Sequence, residues 1–335
     1  MSFWKDKHVF VTGATGLVGS WLIKRLLKEE AYVVVLVRDW DPQSELIRSQ
    51  EIKKTSVVHG RLEDGVSIKR ALVQHEIDTV IHLGAQTIVG AALKDPLETF
   101  ESNIRGSYLL LEACRECQER VQRIVVASSD KAYGTSSILP YTENMPLRGL
   151  HPYDVSKSCT DLLSLSYFHT FRLPIVVGRC GNIFGGGDLN WSRIVPGTIQ
   201  SFLHGEAPLI RSDGTLTRDY LFVEDAVDAY LKMAEKAEEK GVKGEAFNFG
   251  PNRPYSVLEI VAMIQKLMNV FHLQPKILGT ARAEIAHQFL SSEKAKKLLG
   301  WESAFSIEDG LNQTIEWYKK FFSHRAMQEK IFSCC

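Results

Sequence analysis

Tyr153 and Lys157 stand four residues apart in Tyr153-Asp154-Val155-Ser156-Lys157, a spacing that puts both side chains on one face of a helix. A lysine ammonium beside a phenol favours the phenolate, so the pair predicts a tyrosine pKa drawn down from ~10 toward working pH. Such a tyrosine can take a proton from a substrate hydroxyl while hydride leaves the same carbon. Ser128-Ser129 closes a β-rich run ahead of it, and a serine there can hydrogen-bond the same oxygen. Y-x-x-x-K alone recurs by chance on surface helices; a second pattern upstream gives this one weight. Thr12-Gly13-Ala14-Thr15-Gly16-Leu17-Val18-Gly19 is G-x-x-G-x-x-G between a predicted strand and a predicted helix. Gly13 permits a tight turn, Gly16 lets the backbone approach a pyrophosphate, and Gly19 lets the helix pack on the sheet. Helix-terminal N–H groups, around Thr15, Leu17 and Val18, then face the anion of a dinucleotide. At the end of the second strand a carboxylate reads the 2′-hydroxyl of NAD, and an arginine reads the 2′-phosphate of NADP. The chain has Arg38-Asp39 there, so the cofactor reads as NAD or NADP.

Short apolar runs alternating with helical patterns position these groups. His8–Thr12, Tyr32–Val37, Ser56–His59, Thr79–Leu83 and Arg123–Ser128 read as buried parallel strands. Leu17–Lys28, Val66–Gln74 and one long segment, Glu98–Arg115, read as the helices between them. This alternation predicts right-handed crossovers and a doubly wound sheet with ligands at the strand C-termini. Tyr153–Thr170 reads as a helix and Ile175–Arg179 as a strand, after which Gly185-Gly186-Gly187-Asp188 breaks the pattern. Beyond it, Val195–Leu203, Glu224–Glu238 and Ser256–Met268 read as helices and Ala246–Phe249 as a strand. Ser292 and Ser306 are placed to cap two further helices, the last expected over Ile307–Phe322.

The chain has 335 residues, 44% hydrophobic and 24% charged, enough to bury a sizeable core without disulfides or metal. Lys+Arg and Asp+Glu are both 40, and this balance argues against a general nucleic-acid binder. There is no apolar run of the ~18 residues that spans a bilayer, and the polar start Met1–Lys7 lacks the pattern of a signal peptide, so a cytoplasmic location is expected. Cys114-x-x-Cys117 sits in a helical pattern without a second Cys or His pair, so no metal site is expected. Cys334-Cys335 at the end reads as incidental.

Taken together, these segments resemble the extended short-chain dehydrogenase/reductase family of nucleotide-sugar enzymes, the NAD-dependent epimerase/dehydratase group, over about residues 5 to 322. Further matching segments are His82–Gln86, Asn103-Ile104-Arg105-Gly106, Ser128–Gly134, Arg179-Cys180-Gly181-Asn182, Arg218–Asp225 and Leu298-Leu299-Gly300-Trp301. The resemblance implies an α/β fold: a Rossmann doubly wound parallel sheet with a smaller α/β C-terminal substrate domain. The first is expected over 1–182 and about 226–260, the second over about 183–225 and 261–325, with 326–335 a tail. It implies that Leu62, Leu83, Gly84 and Ala85 join the cofactor set, with Asn103 as a support there. Gln86, Ser129, Asn182, Arg193, Arg218 and Glu284 are implied for a nucleotide-diphosphate sugar, Asn182 and Arg218 at its diphosphate. It also implies a homodimer through the Glu98–Arg115 and Tyr153–Thr170 helices, with Leu109, Leu110, Leu162, Leu163 and Tyr167 as candidates for the interface.

Family members share oxidation at C4 of the sugar and differ in the later steps. A 4-epimerase needs no further acid or base. A 4,6-dehydratase must remove H5 and expel the 6-hydroxyl, which wants a base at C5 and an acid at O6. Ser129-Asp130-Lys131 resembles the Thr-Asp-Lys of CDP-glucose 4,6-dehydratases, implying that Asp130 protonates the leaving hydroxyl and Lys131 takes H5. Two positions depart from that subgroup. Arg218-Asp219-Tyr220 has the general family form, and Arg61 follows Gly60 where an aspartate usually contacts adenine. The reading is a nucleotide-sugar 4,6-dehydratase, a lyase, with an epimerase or reductase as the alternative and a dinucleotide-binding sensor outside enzymes.

Overall fold

The computed structural model describes residues 2–281 and 284–333, with side chains as far as His324; Cys334 and Cys335 lie outside the described residues. Its strands are, in chain order, β1 (His8–Thr12), β2 (Tyr32–Val37), β3 (Ser56–His59), β4 (Thr79–His82), β5 (Arg123–Ser129), β6 (Ile175–Cys180) and β7 (Asn182–Phe184). There follow β8 (Leu209–Ile210), β9 (Thr217–Phe222), β10 (Ala246–Phe249), β11 (Pro254–Ser256), β12 (Lys276–Ile277) and β13 (His287–Gln288). Seven form one sheet in the order β10-β6-β5-β4-β1-β2-β3, every pairing parallel.

Strand alternation divides the apolar residues between two cores. Val9, Val11, Val33 and Val35 face Leu22, Ile23 and Leu26 of the Leu17–Lys28 helix and Ala226 and Tyr230 of the Val223–Glu235 helix. Phe10, Val34 and Leu36 face Ile68, Leu72, Leu110 and Cys114 on the opposite side. Burial on both faces is why these strands read as continuous apolar runs. The fold class is therefore the doubly wound Rossmann type with a second, smaller lobe. That lobe centres on β9, flanked by β11, β13 and β7, and its core joins Ile199, Phe202, Tyr220, Ile264, Leu311 and Tyr318. None of the helices among the described residues is long and apolar enough to cross a membrane.

Several expectations shift. The single helix over Glu98–Arg115 is three pieces: Pro96–Phe100, a π-turn at Glu101–Arg105, and Gly106–Glu116. Ser292 does not cap its helix, because its hydroxyl instead bonds the backbone of Gly250 in both directions, at 2.9 and 2.7 Å. Ser306 does cap, accepting from Asp309 N at 3.1 Å, but its helix runs on from Ile307 to Ser333, through most of the expected tail. The helix Val257–Met268, which an expected boundary at 260 would cut, packs by Ile260 and Ile264 into the smaller lobe. Ala295, Leu299 and Trp301, expected in that lobe, pack on the large sheet instead.

Candidate active site

The C-terminal ends of β1, β2, β4, β5 and β6 open into a cleft of about 1380 Å³ whose far wall belongs to the smaller lobe. A single small-ligand pocket holds ~300–1,000 Å³, so this space suits two ligands end to end. The glycine turn forms one end. Gly13 has φ +71°, and a Cβ there would lie 2.7 Å from Gly84 N; a Cβ on Gly19 would lie 2.2 Å from Gly13 O. Gly13 thus makes the turn and Gly19 seats the helix, while Gly16 is the residue preceding it, with no acidic side chain in its first turn. Gly13, Thr15, Gly16, Leu17, Val18, Gly19, Arg38, Asp39, Leu62, Leu83, Gly84 and Ala85 all border the cleft.

A buried relay ties this turn to the π-turn. Gly84 N donates to Thr12 Oγ1 at 3.0 Å, and Thr12 Oγ1 meets His82 Nδ1 at 2.7 Å. His82 Nε2 meets Ser107 Oγ at 2.9 Å, and Ser107 Oγ donates to Asn103 O at 2.5 Å. Burial, with Lys157 nearby, drops the His82 pKa to about 3, so the ring is neutral. Asn103 lies behind the cleft wall rather than on it. Its amide accepts from Gln86 N (2.6 Å) and donates to Gln86 O (3.0 Å) and Ser156 Oγ (2.9 Å). It therefore fixes the loop that carries Gln86 against the helix that carries Tyr153, a use to which the π-turn lends an extra residue of slack.

Tyr153 and Lys157 share one face of the Pro152–Phe171 helix and line the cleft with Ser129 from the end of β5. Their expected electrostatics do not hold. Burial pushes the Tyr153 pKa up to about 12, against smaller downward pulls from Arg193 and Ser129. Lys157 instead donates to Ala127 O at 2.8 Å, and burial brings its pKa down to about 8. Desolvation opposes charge on both groups, and one of the three ammonium donors of Lys157 is held by the Ala127 carbonyl.

Lys131 borders the cleft, whereas Asp130, expected to protonate the leaving hydroxyl, is 1% exposed and lies behind Ser129, whose Oγ donates to Asp130 Oδ1 at 2.9 Å. Burial raises the Asp130 pKa, opposed by Lys131, Ser129 and Arg218, so the protonated form is favoured more than in water. Asp130 Oδ2 is buried without a hydrogen-bond partner.

On the far wall, Asn182, Arg193, Arg218 and Glu284 face the cleft, and Gln86 faces it from the loop after β4. Arg218 is no surface charge. It is 5% exposed, donating to Thr217 O at 2.8 Å and Glu284 Oε2 at 3.1 Å. Arg193 bonds Asp188 Oδ2 at 3.0 Å and reaches across to Thr87 Oγ1 at 3.4 Å. Sequence reasoning missed Arg211, which also borders the cleft and donates to Ser192 O at 2.8 Å. Its place just before the Asp213-Gly214 turn was the one available signal. With Arg193 and Arg218 it makes a wall suited to a diphosphate.

The model of the NAD dependent epimerase/dehydratase family matches residues 9–250. The chain is 28% identical to a CDP-glucose 4,6-dehydratase of Salmonella typhimurium, across 95% of this chain and 92% of that one. It resembles the structure of a UDP-glucose 4-epimerase with UDP-glucose from Thermotoga maritima at TM-score 0.85 and 27% identity, covering 94% and 99% of the two chains. A UDP-glucuronic acid 4-epimerase from Bacillus cereus, in complex with UDP-glucuronic acid and NAD, gives 0.84 and 26%, covering 93% and 99%.

Proposed function

The chain belongs to the NAD dependent epimerase/dehydratase family, and from that premise we propose that it is a nucleotide-sugar 4,6-dehydratase. It would convert an NDP-hexose of the CDP-glucose type to the NDP-4-keto-6-deoxyhexose. The observation that carries this reading is the pair beside Ser129: a buried Asp130 whose carboxyl holds its proton more tightly than in water, and a Lys131 on the cleft wall. An epimerase has no task for either.

The dinucleotide end fits a nicotinamide cofactor of the NAD type: the cradle at Gly13 and Gly19 has no room for a side chain, and a helix N-terminus free of acids faces it. Bound there, the cofactor would supply the redox chemistry at C4 and C6. Tyr153 takes the O4 proton, with Ser129 hydrogen-bonding the same oxygen. It does so as the phenolate, the form that burial disfavours and that the Lys157 ammonium and the positive ring of an oxidised nicotinamide, when bound, would favour. Lys157, held by Ala127 O, keeps its charge directed at the helix's cleft face. Once C4 is a ketone, H5 is acidic; Lys131, as its neutral amine, removes it, Asp130 gives its proton to the 6-hydroxyl, which departs as water, and the Lys131 ammonium returns a proton to C5 as C6 is reduced. Asn182, Arg193, Arg211 and Arg218 hold the diphosphate, with Gln86 and Glu284 at the sugar and ribose. The two lobes serve as dinucleotide and nucleotide-sugar domains.

A homodimer goes with this reading, but not through all the residues first expected. Leu110 is buried in its own core, Leu163 and Tyr167 pack on that core, and a Cβ at Gly65 would contact Leu109. Leu162 (58% exposed) and Phe171 (45%) on the helix of Tyr153, and Tyr108 (37%) on Gly106–Glu116, are large apolar side chains that face outward. Light scattering at micromolar concentration should give twice the chain mass; a monomer would remove the dimer from the account.

The test of the reaction is Asp130→Asn with Lys131→Ala. The double variant should still oxidise C4 but not lose water, so a 4-keto-hexose with its 6-hydroxyl accumulates beside reduced cofactor in a single turnover. A ratio of reduced cofactor to water lost that matches wild type would sink the elimination roles and favour the epimerase.

A further inference from the structure

We propose that Arg193, besides its place on the diphosphate wall, is the fixed cation that favours the Tyr153 phenolate, so that the far wall completes the proton step; this rests on the reading of Tyr153 as the base. Arg193 immediately precedes the Ile194–Leu203 helix, and its side chain spans the cleft. Asp188, in the loop after β7, holds one end, with Arg193 Nη1 donating to its Oδ2 at 3.0 Å. Asp188 is itself fixed: its backbone oxygen accepts from Tyr318 Oη at 2.6 Å and its Oδ1 from Asn190 N at 3.0 Å. The other arm of the guanidinium meets Thr87 Oγ1, 3.4 Å away on the loop after β4. That loop is tied to the helix of Tyr153. Asn103 bonds both backbone groups of Gln86 and donates to Ser156 Oγ, which donates to Tyr153 O at 2.7 Å. The strap from Asp188 therefore ends at the wall that carries the phenol.

The groups around Tyr153 differ in how firmly they keep their charge. Asp154 on its own helix and Asp130 in the turn after β5 disfavour a phenolate, while Arg193 and, less strongly, Ser129 favour it. Cys180 of β6 and Tyr230 of the Val223–Glu235 helix, 3.5 Å apart, are kept uncharged by burial. Lys157, one turn along the helix, is brought down by burial to about 8, so it sheds its proton close to neutrality. A guanidinium does not titrate in a folded protein, so the charge of Arg193 stays when that of Lys157 goes. The Arg193 side chain is 38% exposed and shares its charge with Asp188, which keeps its pull modest while water fills the cleft. A nucleotide-sugar that displaces this water lowers the local dielectric and strengthens the attraction between guanidinium and phenolate. Proton abstraction is then tied to a filled cleft.

The test is on the full chain, with whichever CDP-, dTDP-, UDP- or GDP-hexose reduces the cofactor in wild type. Nicotinamide absorbance is followed in a single turnover from about pH 6 to 10, where the rate should rise through the ionisation of Tyr153. Arg193→Gln should move that rise up by about one pH unit, a ~10-fold loss near neutrality that is recovered in alkali. Arg193→Lys keeps the charge and should stay near wild type. Arg211→Gln should weaken the matching nucleoside diphosphate by calorimetry and leave the pH profile in place. A profile unmoved by Arg193→Gln, or moved equally by Arg193→Lys, would overturn the proposal. A second measurement needs no turnover: tyrosinate absorbance after a rapid jump to alkaline pH, each protein against its Tyr153→Phe counterpart. Arg193→Gln should delay the Tyr153 signal to higher pH, and an unchanged curve would overturn the assignment even if no hexose reduces the cofactor. Cofactor reduction without loss of water would bring down the dehydratase reading and leave this one standing, because C4 oxidation needs the same base in an epimerase. Arg193 is exposed enough for its variants to fold.

Discussion

Asp161→Asn tests whether the turn bearing Asp130 and Lys131 is held from behind. Arg179 (3% exposed) and Asp161 (0%) form a buried two-pronged pair, Nε to Oδ2 at 2.7 Å and Nη2 to Oδ1 at 2.9 Å. Arg179 Nη1 then donates to Tyr133 Oη at 2.7 Å, and Tyr133 is the last residue of the 3₁₀ turn Asp130–Tyr133. Tyr133 Oη in turn donates to Asn248 Oδ1 at 2.7 Å. Asparagine keeps the shape but leaves the guanidinium buried without its counter-charge, which costs about 3–5 kcal/mol. Urea unfolding should show a loss of that order, and water elimination should slow more than C4 oxidation because the turn loses its anchor. The paired change Asp161→Leu with Arg179→Met removes both charges and should recover much of the stability. A loss under about 1 kcal/mol for Asp161→Asn would refute the idea that the pair is desolvated and mutually dependent.

Tyr153→Phe and Lys157→Met should each lower turnover by at least ~10²-fold while leaving the fold intact, as read by steady-state assay beside a thermal melt; near-normal rates for either would remove it from the proton step. Gly19→Ala puts a Cβ 2.2 Å from Gly13 O, so dinucleotide affinity measured by calorimetry should fall sharply, and unchanged affinity would mean that the turn does not carry the cofactor. Burial raises the Asp219 pKa to about 7, countered in part by the Leu290 N–H it accepts at 2.7 Å. The folded carboxyl then keeps a proton that the unfolded one loses above ~4, so its contribution to stability falls as pH rises through this window, by at most about 1.4 kcal/mol per pH unit. Denaturation across that range should show Asp219→Asn flattening the slope, and an identical slope in both proteins would count against the raised pKa.

The large sheet was legible because its central strands are buried on both faces and show as apolar runs ending at a turn, as His8–Thr12 does before Gly13. The smaller lobe was not, since its strands are only two to six residues long and come from distant segments, β13 pairing with β9 across 70 positions. The π-turn at Glu101–Arg105 left no mark on the helical pattern; within it Asn103 reaches Gln86 and Ser156 at once. Tyr153 and Lys157 were found by spacing, but spacing carries no information on desolvation, so the direction of the tyrosine pKa came out reversed. Ser292 failed as a cap for a similar reason: Gly250, 42 residues earlier in the chain, competes for its hydroxyl.

The central claim is that the chain removes water from a nucleotide-hexose, and a mass measurement addresses it most directly. Purified protein is incubated with a panel of CDP-, dTDP-, UDP- and GDP-hexoses and the products are weighed. The account predicts that one substrate loses the mass of one water while no added cofactor is consumed. A new sugar of unchanged mass, or stoichiometric consumption of added NAD(P)H, would contradict it.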